Sequence, residues 1–442
     1  MRAAPPAPDG AASSTESPTD RALALLLAGA REEALRLAAG VVARDDGGAT
    51  AALITGRLLG EMGRAAPARE AITLALIVAI DHGDLPLACA AAHELTRSGG
   101  DASAALDQVA AAFCHGSPRA RGAALPPPMP PSGITPLAGA ALLDAAASAV
   151  RATRARIDAR PRPAVPPAAL FSSLGREALR GFLAAWEPLW LADASTVIEE
   201  GVAGDEAYVI ARGQAEVRRG SGASSLVLAR LGRGALFGEM ALLARAPRAA
   251  SVITRGPCIV LRIARAALDA AADRHPDVGV ELARHCRARM IENLRRTSPV
   301  LAVVPEADRP ALLDRFETRI FEARERLITQ DEPSPGLYMI TSGQVTVVRR
   351  EAGDAEPLLL AQLGPGDVVG EVALVLRRRP GADVVAAEPV VTLFLPAGGF
   401  LGLIHDHPAM LAELYLLAAA RDEETSNVIS QEATAAEDFI LV

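Results

Sequence analysis

The sequence predicts an α+β multidomain protein in which all-α helical hairpins are followed by two β-roll (jelly-roll) domains with flanking helices. Two observations carry this prediction. As far as about Phe113, apolar residues recur at three- and four-residue spacing, which indicates amphipathic helices. After residue 168, short apolar segments alternate with glycine-containing turns, which indicates many short strands, and this second pattern occurs twice.

The composition is that of a protein with few aromatic residues and a moderate negative charge. Of 442 residues, 50% are hydrophobic, 3% are aromatic and 22% are charged, and the net charge is -8. A chain of this length predicts two to four domains. The negative balance gives no basic surface for a nucleic acid, so no nucleic-acid partner is expected.

The sequence carries no recognisable targeting or metal-binding signal. The four cysteines are scattered without a CxxC pair, so we expect neither a disulfide framework nor a metal site. Met1–Thr19 lacks the apolar core of a signal peptide, and the longest apolar run, Ala71–Ile80, is too short to cross a bilayer. The sequence therefore predicts a cytoplasmic protein without membrane contact.

Residues 20–114 are predicted to be α-helical, after a disordered segment at 1–19. Gly29 and Gly63 begin similar Gly- and Ala-containing segments about 34 residues apart, a spacing that resembles the tetratricopeptide repeat. The aromatic positions of that repeat are missing, so two interpretations stay open: a partner-binding solenoid, or a general helical bundle that packs on the rest of the chain. The predicted helices are Ala22–Ala43, Ala51–Met62, Ala68–Ile80, Leu85–Leu95 and Ser103–Phe113.

Residues 115–167 are predicted to form a proline-rich linker that contains one helix, Pro136–Ala159. The first β-roll is predicted at 168–298, with an entry helix, Leu174–Trp186, and two closing helices, Ala264–Ala272 and Pro276–Arg296. Trp186 and Trp190 precede the predicted strands and are expected to be core residues. The predicted strands are Thr196–Ile198, Ala207–Ile210, Ala215–Arg218, Leu226–Ala229, Ser251–Thr254 and Cys258–Ile263.

The pattern of the first β-roll returns 130 to 132 residues later, which indicates an internal duplication. Gly213-Gln214 recurs at Gly343-Gln344, and Gly-Glu-x-Ala-Leu recurs from 238–242 at 370–374. The second copy is therefore predicted at 299–426. It is followed at 427–442 by an acidic tail that we expect to be mostly disordered.

The segment 237–252 of the first copy has the chemical groups that a cyclic nucleotide requires. Gly238 allows the backbone to approach a ligand closely. Glu239 can accept hydrogen bonds from sugar hydroxyls, and a short helix that begins there, with Met240 and Ala241, would direct N–H groups toward an anion. Arg248 has a planar guanidinium suited to a phosphate. Small residues after it, Ala249 and Ser251 among them, leave room for a compact ligand.

This segment resembles the phosphate-binding cassette of the cyclic-nucleotide-binding domain family, which includes protein kinase A regulatory subunits, cyclic-nucleotide-gated channels and bacterial receptors. The resemblance implies a cyclic-nucleotide ligand, with no cofactor besides it. In that family, threonine after the phosphate-binding arginine often accompanies cGMP, so Ala249 favours cAMP. The matching residues are Phe237, Gly238, Glu239, Ala241, Leu242, Pro247, Arg248, Ala249, Ala250, Ser251 and Val252. The expected ligand-binding residues are Gly238, Glu239, Met240, Ala241, Arg248, Ala249 and Ser251.

The corresponding segment of the second copy is predicted to be degenerate. Glu371 retains the ribose position, but Pro380 takes the place of the phosphate-binding arginine, and Arg379, one position earlier, would turn to the other face. Asp383 is expected to bring a negative charge near the phosphate. We therefore expect the second copy to bind cyclic nucleotide weakly or not at all.

The residue that would cap the base is not fixed by the sequence. Met290 and Leu294 on the long closing helix of the first copy are candidates, and Tyr415 occupies a comparable helix in the second copy.

The predicted function is that of a cyclic-nucleotide receptor whose helices rearrange on binding and alter contacts with an unknown protein partner, through the N-terminal helices or the second copy. No enzyme is expected, because P-loop, kinase, HExxH and GxSxG motifs are absent. One alternative is an interaction scaffold with two vestigial β-rolls. Another is a transcription regulator of the catabolite-activator type, which would need a helix-turn-helix where the sequence shows the acidic tail.

Overall fold

The computed structural model describes residues 17–44, 48–120, 137–168, 171–220, 225–239, 248–350 and 357–440. Its N-terminal helices follow one another in sequence and each packs on the next from α1 to α6. Side chains cap three of them, because Ser17, Asp84 and Asp101 each accept a hydrogen bond from a backbone N–H in the first turn. These helices are α1 (Pro18–Leu27), α2 (Arg31–Val42), α3 (Ala49–Glu61), α4 (Ala65–Asp81), α5 (Leu85–Arg97), α6 (Ala102–Phe113) and α7 (Gly139–Asp158).

Helix α7, which was expected inside a linker, packs back on α2 and α4. The buried hydroxyl of Thr153 donates a 2.6 Å hydrogen bond to the Val42 carbonyl at the end of α2. The helix is therefore part of the N-terminal helical bundle. Most of the predicted proline-rich stretch, residues 121–136, lies outside the described residues.

The first β-roll consists of one six-stranded antiparallel sheet. One helix precedes its strands in the sequence and two helices follow them. The strand order is β1-β6-β3-β4, with β2 paired to β6 and β5 paired to β3. The predicted short strands merge into the long strands β3 and β6, which continue past register shifts near Gly213 (φ +93°). Its elements are α8 (Arg176–Ala184), β1 (Glu187–Leu191), β2 (Thr196–Ile198), β3 (Glu206–Arg219), β4 (Leu226–Leu231), β5 (Leu236–Phe237), β6 (Ser251–Ala264), α9 (Arg265–Arg274) and α10 (Pro276–Thr297).

The second β-roll has two four-stranded sheets, with the orders β11-β10-β13-β8 and β12-β9-β14-β7. Together the two copies confirm the predicted fold class, with sheets that remain open and do not close into barrels. The elements of this copy are α11 (Pro299–Ala302), α12 (Arg309–Leu313), β7 (Glu317–Phe321), β8 (Arg326–Ile328), β9 (Gly336–Ser342), β10 (Val345–Arg349), β11 (Leu358–Leu363), β12 (Val368–Val369), α13 (Glu371–Val375), β13 (Asp383–Ala386), β14 (Val390–Pro396), α14 (Ala397–Asp406) and α15 (Pro408–Ile440).

The N-terminal helices share a hydrophobic core with the first β-roll. Helix α1 packs on β6, and α5 packs on β1 and β3. Buried Glu94 of α5 accepts hydrogen bonds from Arg57 (2.9 Å) and from the indole of Trp190 (3.0 Å) in β1. Trp190 therefore lies within the sheet and joins it to the helices, whereas the sequence placed it before the strands.

Helix α10 contributes to the cores of both copies. Leu282, Cys286 and Met290 belong to the core that the first β-roll shares with the N-terminal helices. One turn later, Leu294 belongs to a core of the second copy. A shift of this helix would therefore disturb packing on both sides.

The last helix, α15, runs for 33 residues to Ile440. The expectation of a mostly disordered tail was wrong for the backbone as far as this residue. Residues 427–440, the part of the predicted tail that belongs to this helix, include alanine and glutamate, which favour helix, and contain no proline or glycine. Among the described helices, none combines the length and the hydropathy that crossing a membrane requires.

Candidate functional site

The candidate site of the first copy begins where β5 ends. Phe237 pairs with Tyr208 of β3, and their rings stack with centroids 5.3 Å apart. Gly238 follows with φ +77°, and a Cβ atom there would lie 3.1 Å from the Glu206 carbonyl oxygen. Only glycine accommodates this turn without strain, and the turn leaves Glu239 buried with 5% of its surface exposed.

Arg248 reaches back to the same turn from the other end of the segment. Its guanidinium donates hydrogen bonds to the carbonyls of Gly238 (Nη1, 2.8 Å) and Glu206 (Nη2, 2.7 Å), and the residue is 9% exposed. A Cβ atom on Gly204 would lie 2.5 Å from Arg248 Nε, so the glycine turn packs directly on the guanidinium. The structure therefore brings Arg248, Gly238 and Glu239 together.

The charge of Arg248 is held by backbone dipoles. Within the described residues, no carboxylate oxygen lies within ion-pair distance of its guanidinium, although Tyr208 and Glu206 contribute favourable electrostatic interactions from farther away. Burial lowers the pKa of Arg248 from its ordinary value. A buried guanidinium without a carboxylate partner is a site that an anion would stabilise.

Glu239 has a partner that the sequence analysis missed. Arg289 of α10 places Nε 3.6 Å from Glu239 Oε1. Burial raises the pKa of Glu239, and the charge of Arg289 opposes that rise. The duplication could have identified this arginine, because Arg421 lies 132 residues later and contacts the corresponding carboxylate of the second copy.

The remaining predicted site residues fall into two groups. Met240 and Ala241 lie in 240–247, outside the described residues. Ala249 is exposed beside Arg248, whereas the hydroxyl oxygen of Ser251 accepts a 3.0 Å hydrogen bond from the Glu200 N–H. In this structure Ser251 therefore joins two segments of the β-roll.

The second copy repeats the turn but places different groups around it. Gly370 has φ +91°, and Glu371 is 1% exposed at the start of α13. Arg421 of α15 donates from Nη1 to Glu371 Oε1 at 2.6 Å and also to the carbonyl of Val368. The carboxylate that corresponds to Glu239 is thus already bound by an arginine of its own chain.

Arg248 of the first copy has no arginine equivalent at this position of the second copy. Asp331 N–H donates to the Pro380 carbonyl at 2.9 Å, just as Gly201 N–H donates to the Arg248 carbonyl at 2.8 Å. Proline therefore occupies the backbone position of Arg248. The guanidinium of Arg379 instead donates to the Asp331 carbonyl at 2.6 Å.

Asp383, which was expected to bring a negative charge near the phosphate, lies among several other groups in the structure. Its buried carboxylate accepts a 2.8 Å hydrogen bond from the Gln330 N–H, the same role that Ser251 has in the first copy. Arg350 and Arg326 place Nε 3.4 Å and 3.7 Å from its Oδ2. Two guanidinium groups thus compensate the carboxylate.

Of the three candidates for a base cap, two are buried in this structure and one is exposed. Met290 and Leu294 are 2% and 1% exposed and belong to the apolar cores described above. Tyr415 is 55% exposed and lines an apolar cavity on α15. Within the described residues, no cluster of three or more His, Cys, Asp or Glu side chains could hold a metal ion.

Comparison with known proteins agrees with this geometry. The family of the cyclic nucleotide-binding domain matches residues 188–275 and again residues 318–407. The chain carries two cyclic nucleotide-binding domains. We call them domain 1 and domain 2.

The similar proteins include regulatory subunits of cAMP-dependent protein kinase. The one from Yarrowia lipolytica is 29% identical over 243 residues, which cover 54% of this chain and 60% of the relative. The type II subunit from Drosophila melanogaster is 32% identical over 237 residues, covering 53% and 59%. The match thus spans about three fifths of the length of each relative.

Among solved structures, the regulatory domain of Toxoplasma gondii protein kinase A with cAMP is 23% identical. The match covers 57% of this chain and 92% of that one, with a TM-score of 0.28.

Proposed function

We propose that this protein is a cyclic-nucleotide receptor with one working site, in domain 1. The observation that carries the proposal is Arg248, a buried cation that, within the described residues, donates hydrogen bonds to two backbone carbonyls beside the buried carboxylate of Glu239. The phosphate of a cyclic nucleotide supplies an anion for Arg248. Its ribose hydroxyl supplies a hydrogen-bond donor for Glu239.

The proposed contacts extend beyond these two side chains. The backbone of Gly238 and Ala249 lies beside them, and Met240 and Ala241 follow Glu239 in the sequence. The small side chain of Ala249 favours cAMP over cGMP.

Domain 2 is proposed to bind no cyclic nucleotide. Pro380 stands where domain 1 has Arg248, and Arg421 already donates a 2.6 Å hydrogen bond to the Glu371 carboxylate. A ligand would have to displace that ion pair without gaining a phosphate contact.

The signal is proposed to pass through α10. This helix contacts Glu239, the proposed ribose-binding carboxylate, through Arg289, and its Leu294 packs in a core of domain 2. A ligand hydroxyl that binds Glu239 competes with Arg289, so ligand binding changes the contacts of the helix and shifts its equilibrium position.

The role of the chain is proposed to be regulatory and not enzymatic. Both relatives named above are regulatory subunits of a cAMP-dependent protein kinase, which favours a kinase catalytic subunit as the protein partner. The N-terminal helices, which share a core with domain 1, offer a second surface for a partner.

Isothermal titration calorimetry with cAMP and cGMP tests the proposal. We expect one site per chain in the wild-type protein and a loss of at least about tenfold in affinity for Arg248→Ala, because a charge-assisted contact is removed. Arg379→Ala is the matched control, since it removes an arginine from the corresponding region of domain 2 and should leave binding unchanged. Two tight sites per chain, or undiminished binding by Arg248→Ala, would contradict the assignment. No binding of either nucleotide would favour a scaffold with vestigial domains.

A further inference from the structure

Domain 2 has an apolar groove on the side of its long helix. The groove encloses about 590 Å³ and is lined by residues of α13, α14 and α15, which we call the α15 groove. Leu401, Tyr415 and Leu416 are 63%, 55% and 63% exposed. The single charged residue in the lining is Arg377, at the end of α13. Large exposed apolar side chains that cluster in this way indicate a surface that another element covers.

Domain 1 lacks several of the apolar side chains that line this groove. Four of the lining residues correspond, at an offset of 132, to small, polar or charged residues in domain 1. Leu401, Leu411, Tyr415 and Leu416 correspond to Asp269, Gly279, Ala283 and Arg284. The closing helices α9 and α10 of domain 1 therefore form without these four apolar side chains.

The charge around the groove restricts what can occupy it. Arg377, Arg378 and Arg379 are all exposed at its α13 end. Arg378 pairs with Asp422 of the same chain, whereas Arg377 belongs to the lining of the groove itself. A complementary occupant presents apolar residues next to carboxylates.

The sequence of this chain contains such a segment at 432–442. It has three carboxylates, Glu432, Glu437 and Asp438, followed directly by Phe-Ile-Leu-Val. The segment cannot reach the groove of its own copy, because α15 is a continuous helix from Pro408 to Ile440. At 1.5 Å per residue, the distance along the helix from Tyr415 to Glu437 is about 33 Å.

We propose that the α15 groove binds residues 432–442 of a second copy of this chain. Two α15 helices then run antiparallel, and each delivers its acidic and apolar segment to the groove of the other. The contact is isologous, so it closes as a two-fold dimer with two equivalent groove–segment contacts. The carboxylates of the segment meet the arginines at the end of α13, and its apolar residues cover Leu401, Tyr415 and Leu416.

Sedimentation velocity over a wide range of protein concentration tests this proposal with the full chain. We expect a reversible dimer for the wild-type protein. Leu416→Glu places a charge in the groove and should weaken the dimer by at least about tenfold. Val280→Glu is the matched control, because Val280 is 64% exposed at the domain 1 position that corresponds to Ala412 of the groove. This control should dimerise like the wild-type protein, and circular dichroism should show that each variant is folded.

The double substitution Glu437→Lys/Asp438→Lys tests the identity of the occupant. It should weaken the dimer, and a labelled peptide of residues 427–442 should bind the wild-type chain and not Leu416→Glu. If Leu416→Glu abolishes the dimer while the double substitution leaves it unchanged, two grooves face each other and the proposed occupant is wrong. A wild-type chain that stays monomeric, or a Val280→Glu control that loses the dimer as well, overturns the proposal.

Discussion

The ion pair inside domain 2 can be tested by replacing Arg421 with methionine. The guanidinium donates to Glu371 Oε1 at 2.6 Å, Glu371 is 1% exposed, and the Arg421 side chain is 19% exposed. Methionine preserves much of the volume of the side chain and removes its charge. The variant therefore leaves a buried carboxylate without its cation, which is the expensive way to break such a pair.

The expected cost at neutral pH is about 3 kcal/mol, the lower end of the range for breaking a buried pair, because Glu371 can take up a proton. For a domain of this size, that cost would lower the midpoint of thermal unfolding by about 10 °C. Glu371→Gln combined with Arg421→Met should recover most of the loss, since the double variant has no buried charge. Arg378→Met is the control. It breaks an exposed ion pair between Arg378 and Asp422, which lies on α15 next to Arg421, and should cost less than about 1 kcal/mol.

The loss should depend on pH in a definite direction. Burial already raises the pKa of Glu371, and Arg421 opposes that rise, so removal of Arg421 raises the pKa further. A carboxyl group whose pKa is raised by folding favours the folded state below its unfolded pKa, and that contribution is lost as pH rises through the folded pKa. The difference between Arg421→Met and the wild-type protein should therefore be small near about pH 4.3 and should grow toward neutral pH.

Chemical denaturation and differential scanning calorimetry from acidic to neutral pH provide the measurement. The unfolding of domain 2 should shift while that of domain 1 stays in place. The proposed charge effect is refuted if Arg421→Met is as stable as Arg378→Met at neutral pH, or if its loss of stability does not change with pH. Failure of the Glu371→Gln substitution to rescue stability would also count against a charge effect.

Two further predictions concern the helices and the bend of the first sheet. Glu94→Ala should lower the stability of the joined helices and domain 1 by about 2 kcal/mol, because the partly buried Trp190 indole and the Arg57 guanidinium lose their buried acceptor; denaturant titration with an unchanged midpoint would contradict this. Gly213→Ala should destabilise domain 1 by more than about 2 kcal/mol, because a Cβ atom there would lie 2.5 Å from the Cys258 sulfur on a backbone with φ +93°. Gly232→Ala, which meets nothing within 4 Å, is the matched control, and equal thermal midpoints for the two variants would refute the argument.

The fold and the position of the candidate cradle could be predicted because their signals are local. Gly238, Glu239 and Arg248 lie within a few residues of one another, so the spacing of their chemical groups is visible in the sequence. The duplication allowed each residue of the first copy to be compared with the corresponding residue of the second copy. It placed Pro380 opposite Arg248, and the backbone hydrogen bonds of the two residues agree.

The charges around the second cradle could not be read in the same way. Asp383 was expected to bring a negative charge near the phosphate, and Arg326 and Arg350, which are distant in the sequence, compensate that charge. An electrostatic effect depends on which groups lie within a few ångströms, and a linear pattern does not contain that information. Likewise, the contact between Arg421 of α15 and Glu371 was not predicted, because the two residues lie 50 positions apart in the sequence.

By itself, the sequence determined the helical start, the two β-rolls and the group of residues that could hold a cyclic nucleotide, because each follows from local periodicity and spacing. The tertiary structure decided which of those groups are free to act. It places Arg289 3.6 Å from Glu239 in domain 1 and Arg421 2.6 Å from Glu371 in domain 2. The sequence could not show these contacts, because the cradle turn and the long helix of each domain lie about 50 residues apart and are brought together only by folding.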